Sequence, residues 1–389
     1  MADRTVPVPD TDTLPITGLP HLLTHLDALD SDPSTPIQPK LFDDVELQLT
    51  DANSPRILPT LLPRLTSLLF TLTTQDPSPL LSLLTKLLSP IPFQSILPHA
   101  TPSALLVALR SPLPGANILA LSIIHKAAAS TEDVSILVDR MADLVGETVT
   151  LWVGSRDTGV AEKAAKVLGE LLEMDCPTVV PRTSTATNGT SHFLSTSSTT
   201  RHLYRLETAG QGLLWRLIFQ NPDNLTRIIA NCSLRLPSAV TSAFPPGAES
   251  RPERDITISQ GRLLRLLPRL VALDIQPLFA DHFPLFQSFN ATNNNLLSWA
   301  ALEMVDPSDA LMQLTLIDFF ETLVSIARVS SHQPPIKDEF VKGLVRLAMG
   351  KDESGELRRA MLSLPDRTIE SEAEDLRRYL SDVLNLSTE

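Results

Sequence analysis

The strongest constraint on this chain is a helical segment that occurs twice with a fixed spacing. Gly115 and Gly159 lie 44 positions apart, and each opens a run of small and aliphatic residues, ANILALSIIHKAAA and VAEKAAKVLGELL. When the two runs are aligned on these glycines, apolar residues coincide at four positions: Ala120 with Ala164, Ile123 with Val167, Ile124 with Leu168, and Ala127 with Leu171. The apolar residues of the second run recur at three- and four-residue intervals, which is the period of one helix face. A helix of this kind cannot bury its apolar face alone, so we expect neighbouring copies to stack.

The spacing of the copies also indicates the type of repeat. A period of 40–47 residues is typical of HEAT and armadillo arrays. Residues 132–152 read as a further helix between the two copies, and a looser third copy begins at VDPSDALMQ. In the third copy we expect one buried face, made of Leu311, Leu314, Ile317, Phe320, Val324 and Ala327. The sequence thus predicts an all-α, armadillo/HEAT-like solenoid, and a non-repetitive helical bundle is the alternative.

The composition agrees with a helical fold. Hydrophobic residues make up 43% of the 389 positions, but aromatic residues only 5%, so Leu, Ile, Val and Ala must build the core. Compact β-sandwiches draw more heavily on aromatic and β-branched residues. Residues 57–88 are dense in leucine and are broken by proline, which is typical of short helices packed on both sides.

Changes in composition divide the chain into five segments. Residues 1–55 are predicted to be irregular with one short helix, and residues 56–180 to hold the N-terminal repeats. Residues 181–200 contain twelve Ser or Thr and are predicted to form a flexible loop. Residues 201–330 should hold the central repeats, and residues 331–389 the C-terminal repeats with a polar cap.

The charge of the chain excludes some classes of partner. Its net charge is −13, whereas a nucleic-acid-binding protein normally presents a basic face to the phosphates. We therefore expect a protein partner with a basic surface, no nucleic acid, and no membrane, because no apolar run resembles a signal peptide or a membrane span. Two isolated cysteines, Cys176 and Cys232, suit a reduced compartment, so we expect the protein in the cytoplasm and the nucleus.

No pattern of residues in the chain supports catalysis. None of the familiar nucleophile, zinc-protease or dinucleotide motifs is present. His21 and His25 have the spacing of a metal-binding pair on a helix. Asp27 and Asp30 are the nearby candidates for a third ligand, and solvated side chains are the favoured alternative. Cys176 has no basic neighbour that would activate its thiol. We expect no enzymatic activity, no metal and no cofactor.

The remaining function is the binding of another protein. Solenoids present an extended surface, and the candidate contacts are polar or aromatic residues that the core pattern does not use. The candidates are Glu162, Lys166, Trp215, Arg216, Arg262, Arg265, Arg269, Trp299 and Glu303. For each there is a structural alternative, since a helical Trp commonly belongs to the core and a row of Arg to a solvated face.

Longer stretches of the chain resemble a known family. The run ILALSIIHKAAASTEDVSILVDRMADLVGETVTLWVGSRDTGVAEKAAKVLGELLEMD is similar to the early repeats of the proteasome base-assembly chaperones, the family of 26S proteasome non-ATPase regulatory subunit 5. Fungal relatives carry the label DNA mismatch repair protein. The later runs LLWRLIFQNPDNLTRIIA, ITISQGRLLRLLPRLVALDI and ALEMVDPSDALMQLTLIDFFETLVSIA follow in the expected order.

This resemblance implies a specific function. It implies a C-shaped, right-handed stack of armadillo/HEAT-like repeats whose concave face holds the C-terminal domain of one ATPase of the 26S regulatory particle base. The chaperone delays docking of that ATPase on the core particle, and neither catalytic residues nor cofactors are implied. We expect a monomer, and a generic armadillo/HEAT adaptor or scaffold is the alternative function.

Overall fold

The described part of the chain is helical throughout. The computed structural model describes residues 16–71, 75–177, 210–234, 251–286, 294–329 and 335–384, and these residues contain no strand. They divide into two compact units, Met1–Lys126 and Ala127–Glu389. The predicted all-α class is confirmed, whereas the solenoid geometry stays a prediction. The flexible loop predicted at residues 181–200 lies outside the described residues.

The first unit is built mainly from short helices. They are α1 Leu19–Ser31, α2 Pro39–Glu46, α3 Ser54–Thr71, α4 Ser78–Leu87, α5 Phe93–Ile96, α6 Pro102–Leu109 and α7 Pro114–His125. Helix α4 packs against α2, α3 and α7, and α6 packs against α7. Pro59 and Pro63 lie inside α3 without ending it. Both prolines are exposed, so the hydrogen bonds they cannot make lie on the solvent side of the helix.

The second unit contains two helix triplets that stack on each other. The first triplet is α8 Thr131–Arg140, α9 Ala142–Gly154 and α10 Thr158–Met174, and the second is α11 Leu213–Phe219, α12 Pro222–Cys232 and α13 Glu253–Leu273. Each helix packs on its counterpart, α8 on α11, α9 on α12 and α10 on α13. This one-to-one stacking is the arrangement expected of helical repeats.

The remaining helices continue from the third helix of the second triplet. They are α14 Phe283–Phe286, α15 Leu296–Leu302, α16 Ala310–Val329, α17 Pro335–Lys351, α18 Glu356–Ser363 and α19 Glu370–Val383. Helix α16 packs on α13 and on α17, α18 and α19. Helices α10, α13 and α16 therefore lie side by side in that order.

Glycines allow the two triplets to approach closely. A Cβ atom at Gly154 of α9 would lie 2.7 Å from Oδ1 of Asn231 in α12. A Cβ atom at Gly169 of α10 would lie 2.7 Å from Nη1 of Arg269 in α13. Both distances are shorter than van der Waals contact, so larger residues at these positions would force the neighbouring side chain to move.

The two copies identified by the 44-residue spacing are both helices of similar register. Helix α7 begins at Pro114 and α10 at Thr158, each one residue before its aligned glycine. The four aligned pairs of apolar residues are all buried.

The third copy departs from the predicted burial pattern. Phe320, Val324 and Ala327 are buried, but Leu311 and Leu314 are 72% and 60% exposed, so the prediction of a buried face is wrong for these two leucines. A step of three residues is shorter than one helical turn of 3.6 residues, so residues spaced by three do not stay on one face. The nine steps from Leu311 to Phe320 make about two and a half turns. Leu311 and Phe320 consequently point to opposite sides of α16.

Helix α16 is long and apolar enough, over Ala310–Arg328, to cross a membrane by length and composition. Core helices of soluble proteins meet the same criterion, although only a third of this helix's most apolar window is buried. Its Glu321 and Arg328 form ion pairs with Arg367 and Glu372. These ion pairs, together with the four helices that pack on α16, show that the C-terminal half of α16 is part of the folded unit.

A buried carboxylate joins the end of α10 to the start of α11. The side chain of Asp175 accepts hydrogen bonds from the backbone N–H groups of Gln211 and Gly212, both at 3.1 Å, and of Leu214 at 2.7 Å. The N–H of Gly210 donates to the carbonyl of Cys176 at 2.9 Å. Burial raises the pKa of Asp175, and the backbone donors oppose that shift. Asp175 thus caps α11, whose own N-cap residue, Gly212, has no side chain to do so.

Candidate protein-binding surface

The arginine row predicted on α13 lies against α10. Arg265 forms an ion pair with Glu162 at 2.9 Å, and Arg269 forms one with Glu173 at 3.2 Å. Two predicted contact residues, Glu162 and Arg265, therefore bind each other. Their side chains are still 51% and 58% exposed, so both remain accessible to a partner.

Arg262 has a structural environment that differs from that of Arg265. Its Nη1 donates to the carbonyl of Ser155 at 2.6 Å, just beyond the end of α9, and Arg251 donates to the carbonyl of Gly154 at 3.3 Å. Cations are stabilised at helix C-termini, where carbonyl groups lack partners within the helix. Burial lowers the pKa of both guanidinium groups. The two arginines thus close the end of α9 against α13.

The other charged candidates also contact the chain itself. Lys166 lies 3.9 Å from Glu170 on the same helix, and Glu303 forms an ion pair with Lys351 of α17. Arg216 folds back on the start of α11 and donates to the carbonyls of Gly212 and Gln211 at 3.3 and 3.0 Å. A role in partner binding stays a prediction for these residues.

The two tryptophans predicted as contacts belong to the core. Trp215 and Trp299 are each 1% exposed. The indole N–H of Trp215 donates to the carbonyl of Leu172 at 2.9 Å, and the ring of Trp299 packs on Phe286 with 5.9 Å between centroids. Because a ring buried to this degree cannot touch a partner, the prediction is wrong for both residues and the core alternative is correct.

Three neighbouring helices, α10, α13 and α16, expose both polar and apolar side chains to solvent. We call the solvent-exposed side chains of α10, α13 and α16 the third-helix surface; its main residues are Glu162, Lys166, Ile258, Arg265, Leu311, Leu314 and Asp318. Ile258 is 43% exposed and lies seven residues before Arg265, so both occupy the same side of α13. Sequence reasoning missed Ile258, Leu311, Leu314 and Asp318. Leu311 and Leu314 could have been identified from the sequence, because residues spaced by three rotate around a helix with 3.6 residues per turn and so leave the face of Phe320.

The histidines and cysteines of the described residues do not form a metal site. They contain no group of three or more His, Cys, Asp or Glu that could hold a metal ion. His25 is buried and its Nε2 accepts the backbone N–H of Gln38 at 3.2 Å, whereas His21 is exposed. Cys176 and Cys232 are both buried, and burial raises the pKa of the Cys232 thiol to about 12. That thiol is therefore protonated at neutral pH.

Comparison with known proteins finds a similarity in the N-terminal part of the chain. Residues 21–150, from α1 into α9, match the family model described as DNA mismatch repair protein HSM3, N terminal domain. No curated protein sequence matches the chain significantly. HSM3 is the fungal name for the proteasome base-assembly chaperones, which agrees with the resemblance seen in the sequence. The match covers about a third of the chain, and over those residues the chain is similar to the N-terminal domain of the HSM3 family.

Proposed function

We propose that this protein is a non-catalytic assembly chaperone of the 26S proteasome regulatory particle base. The observation that carries the proposal is the HSM3 N-terminal domain at residues 21–150, since that family is a chaperone family. The partner that the resemblance implies is the C-terminal domain of one base ATPase. Stacked helical triplets in the second unit support a binding role, because repeat arrays present broad surfaces to other proteins.

The third-helix surface is the face we assign to the ATPase domain. It combines exposed apolar side chains, such as Leu311, with exposed charges, such as Arg265 and Glu162. Protein interfaces typically surround an apolar centre with a polar rim. According to this proposal, the protein acts as a monomer in the cytoplasm and the nucleus, and it binds no membrane.

The mismatch-repair label in the family's name is best explained indirectly. The chain carries a net charge of −13, and the exposed arginines of the third-helix surface are matched by acids such as Glu162. Binding to duplex DNA depends on neutralising phosphates with several cations. We therefore propose that any repair phenotype arises through protein turnover. Tight binding of the purified protein to mismatched duplex at physiological salt would contradict this.

The test is co-purification with the isolated C-terminal domain of each proteasomal ATPase, followed by size-exclusion chromatography. We expect a stable complex with one domain and none with the others. Absence of a complex with every domain would refute the ATPase assignment, and an unbiased pull-down from extract would then address the adaptor alternative.

Charge variants locate the binding face within the same assay. R265E breaks the Arg265–Glu162 ion pair, whereas the double variant E162R/R265E restores a pair of reversed polarity. If the surface charges contact the ATPase domain, both variants should weaken the complex by roughly tenfold, even though the double variant keeps the internal pair. R358E changes an exposed arginine on α18 and is the matched control. Normal binding by E162R/R265E would remove this pair from the interface.

A further inference from the structure

The exposed side of α16 carries two large apolar side chains near the start of the helix. Leu311 and Leu314 are 72% and 60% exposed, and Asp318 follows on the same side, one turn beyond Leu314. Large side chains exposed together in this way indicate an interaction site more strongly than single exposed leucines do. On the opposite side of the helix, Phe320 and Val324 are fully buried.

Among the described residues, the charge beside these two leucines is not part of an ion pair. No basic side chain of the described residues forms an ion pair with Asp318. On α10 and α13, in contrast, Arg265 and Arg269 are already paired with Glu162 and Glu173. The part of the third-helix surface that α16 contributes therefore combines exposed apolar side chains with a negative charge that is not paired within the described residues.

We infer that the stripe Leu311–Leu314–Asp318 is the docking site for an amphipathic helix with a basic flank. Two leucines one turn apart accept apolar side chains spaced three or four residues apart on a partner helix. Asp318 attracts a Lys or Arg that follows those side chains, and the net charge of −13 favours approach of a basic partner. The inference rests on the proposed function only in the choice of the third-helix surface as the binding face.

Two other occupants of the stripe are less compatible with its charge. An anionic membrane would be repelled by Asp318 and by the overall negative field. A second copy of the chain, joined through the same stripe, would bring two Asp318 carboxylates into one interface. The partner helix is therefore a different protein segment.

The experiment uses the full-length protein and two short fluorescent helical peptides, without any ATPase domain. One peptide has leucines on one face flanked by lysines, and the other has glutamates in place of the lysines. Fluorescence anisotropy should show tighter binding of the lysine peptide, by about tenfold or more, with an advantage that shrinks as salt is added. L311Q/L314Q should weaken binding of the lysine peptide by at least about tenfold, since it removes the apolar contact. D318K should reverse the preference between the peptides.

A matched control and two further readouts decide the outcome. V107Q alters a residue of the first unit that is also 72% exposed, and it should bind the lysine peptide like the wild type. Equal binding of both peptides, or normal binding by L311Q/L314Q with unchanged circular dichroism, would overturn the inference. It would also be overturned by binding to phosphatidylserine vesicles, or by a dimer in size-exclusion chromatography, that L311Q/L314Q abolishes. Because no ATPase domain is present, these results are separate from the test of the proposed function.

Discussion

Replacing Asp175 with alanine tests whether the buried cap of α11 holds the second unit together. In the wild type the carboxylate, only 3% exposed as a residue, accepts three backbone N–H groups. The N–H of Gly212 would keep a bond, because it also donates to the carbonyl of Asp175 at 3.0 Å. The N–H of Leu214 would be left buried and unpaired, whereas that of exposed Gln211 would turn to water.

The expected loss follows from these three donors. An orphaned buried N–H costs about 1–3 kcal/mol, and a solvated one about 0.5 kcal/mol. Part of this cost is offset, because the variant no longer has to bury a carboxylate. D175A should therefore lower the free energy of unfolding by about 2 kcal/mol. Asp157 is the matched control, because it caps α10 through the N–H of Val160 at 2.8 Å but is exposed. D157A should lose about 1 kcal/mol, as is usual for an exposed cap.

Urea unfolding followed by tryptophan fluorescence isolates the relevant unit. All three tryptophans of the chain lie in Ala127–Glu389, so their emission reports on this unit and not on the first. The free energy of unfolding for each variant comes from the midpoint and slope of the transition. If D175A unfolds with the same free energy as D157A, the buried cap does not carry the energy assigned to it.

The pH dependence gives a second test of the same site. Burial raises the pKa of Asp175, so the folded protein holds this proton more tightly than the unfolded chain does. The stability from this linkage is present below the ordinary pKa of Asp and is lost as the pH rises through the raised value. D175N, which is neutral throughout, should lack this dependence and should be less destabilising than D175A. A stability difference between D175N and wild type that does not change with pH would contradict the raised pKa.

Three further predictions concern buried groups elsewhere. Cys176 and Cys232 are both buried, so neither should react with Ellman's reagent in the native protein and both should react in urea; rapid native labelling would contradict their burial. Lys342, whose side chain is 8% exposed, forms ion pairs with Asp338 and Asp382, so K342M should lower the free energy of unfolding in urea by about 1–2 kcal/mol. K351M removes a more exposed ion pair and should lower it by less than about 1 kcal/mol. Equal losses in the two variants would contradict this prediction. Burial lowers the pKa of His25, so the unfolded chain binds a proton at a higher pH than the folded protein does, and the first unit should lose stability as the pH falls below about 6.5. Hydrogen exchange in α1 and α2 should then become faster, and H25Q should suppress this acceleration. If exchange in H25Q depends on pH as in the wild type, His25 is not the cause.

The features predicted from the sequence are those that depend on local periodicity. The starts of α7 and α10 and the burial of Ala120 and Ala164 follow from a repeating apolar pattern, which any stacked helix must satisfy. The pairing of Arg265 with Glu162 could not be predicted, because the two residues are 103 positions apart and meet only through the packing of α13 on α10.

The exposed stripe of α16 and the buried tryptophans show two further limits. Residues spaced by three look like one face over a single turn, but the helical period carries Leu311 away from Phe320. Composition alone cannot separate a core tryptophan from an interface tryptophan, since both positions favour large aromatic rings. The neighbours decide, as Leu172 and Phe286 do for Trp215 and Trp299.

The hydrogen bond between Gly210 and Cys176 has a consequence for how this protein can vary in length. Pro177 and Gly210 lie close together, because Cys176 and Asp175 accept hydrogen bonds from the backbone N–H groups of Gly210 and Leu214. Closing a loop whose ends already meet becomes only about 0.6 kcal/mol more costly with each doubling of its length. We therefore expect that residues can be added between Pro177 and Gly210, for example as an inserted reporter domain, without disturbing the triplets.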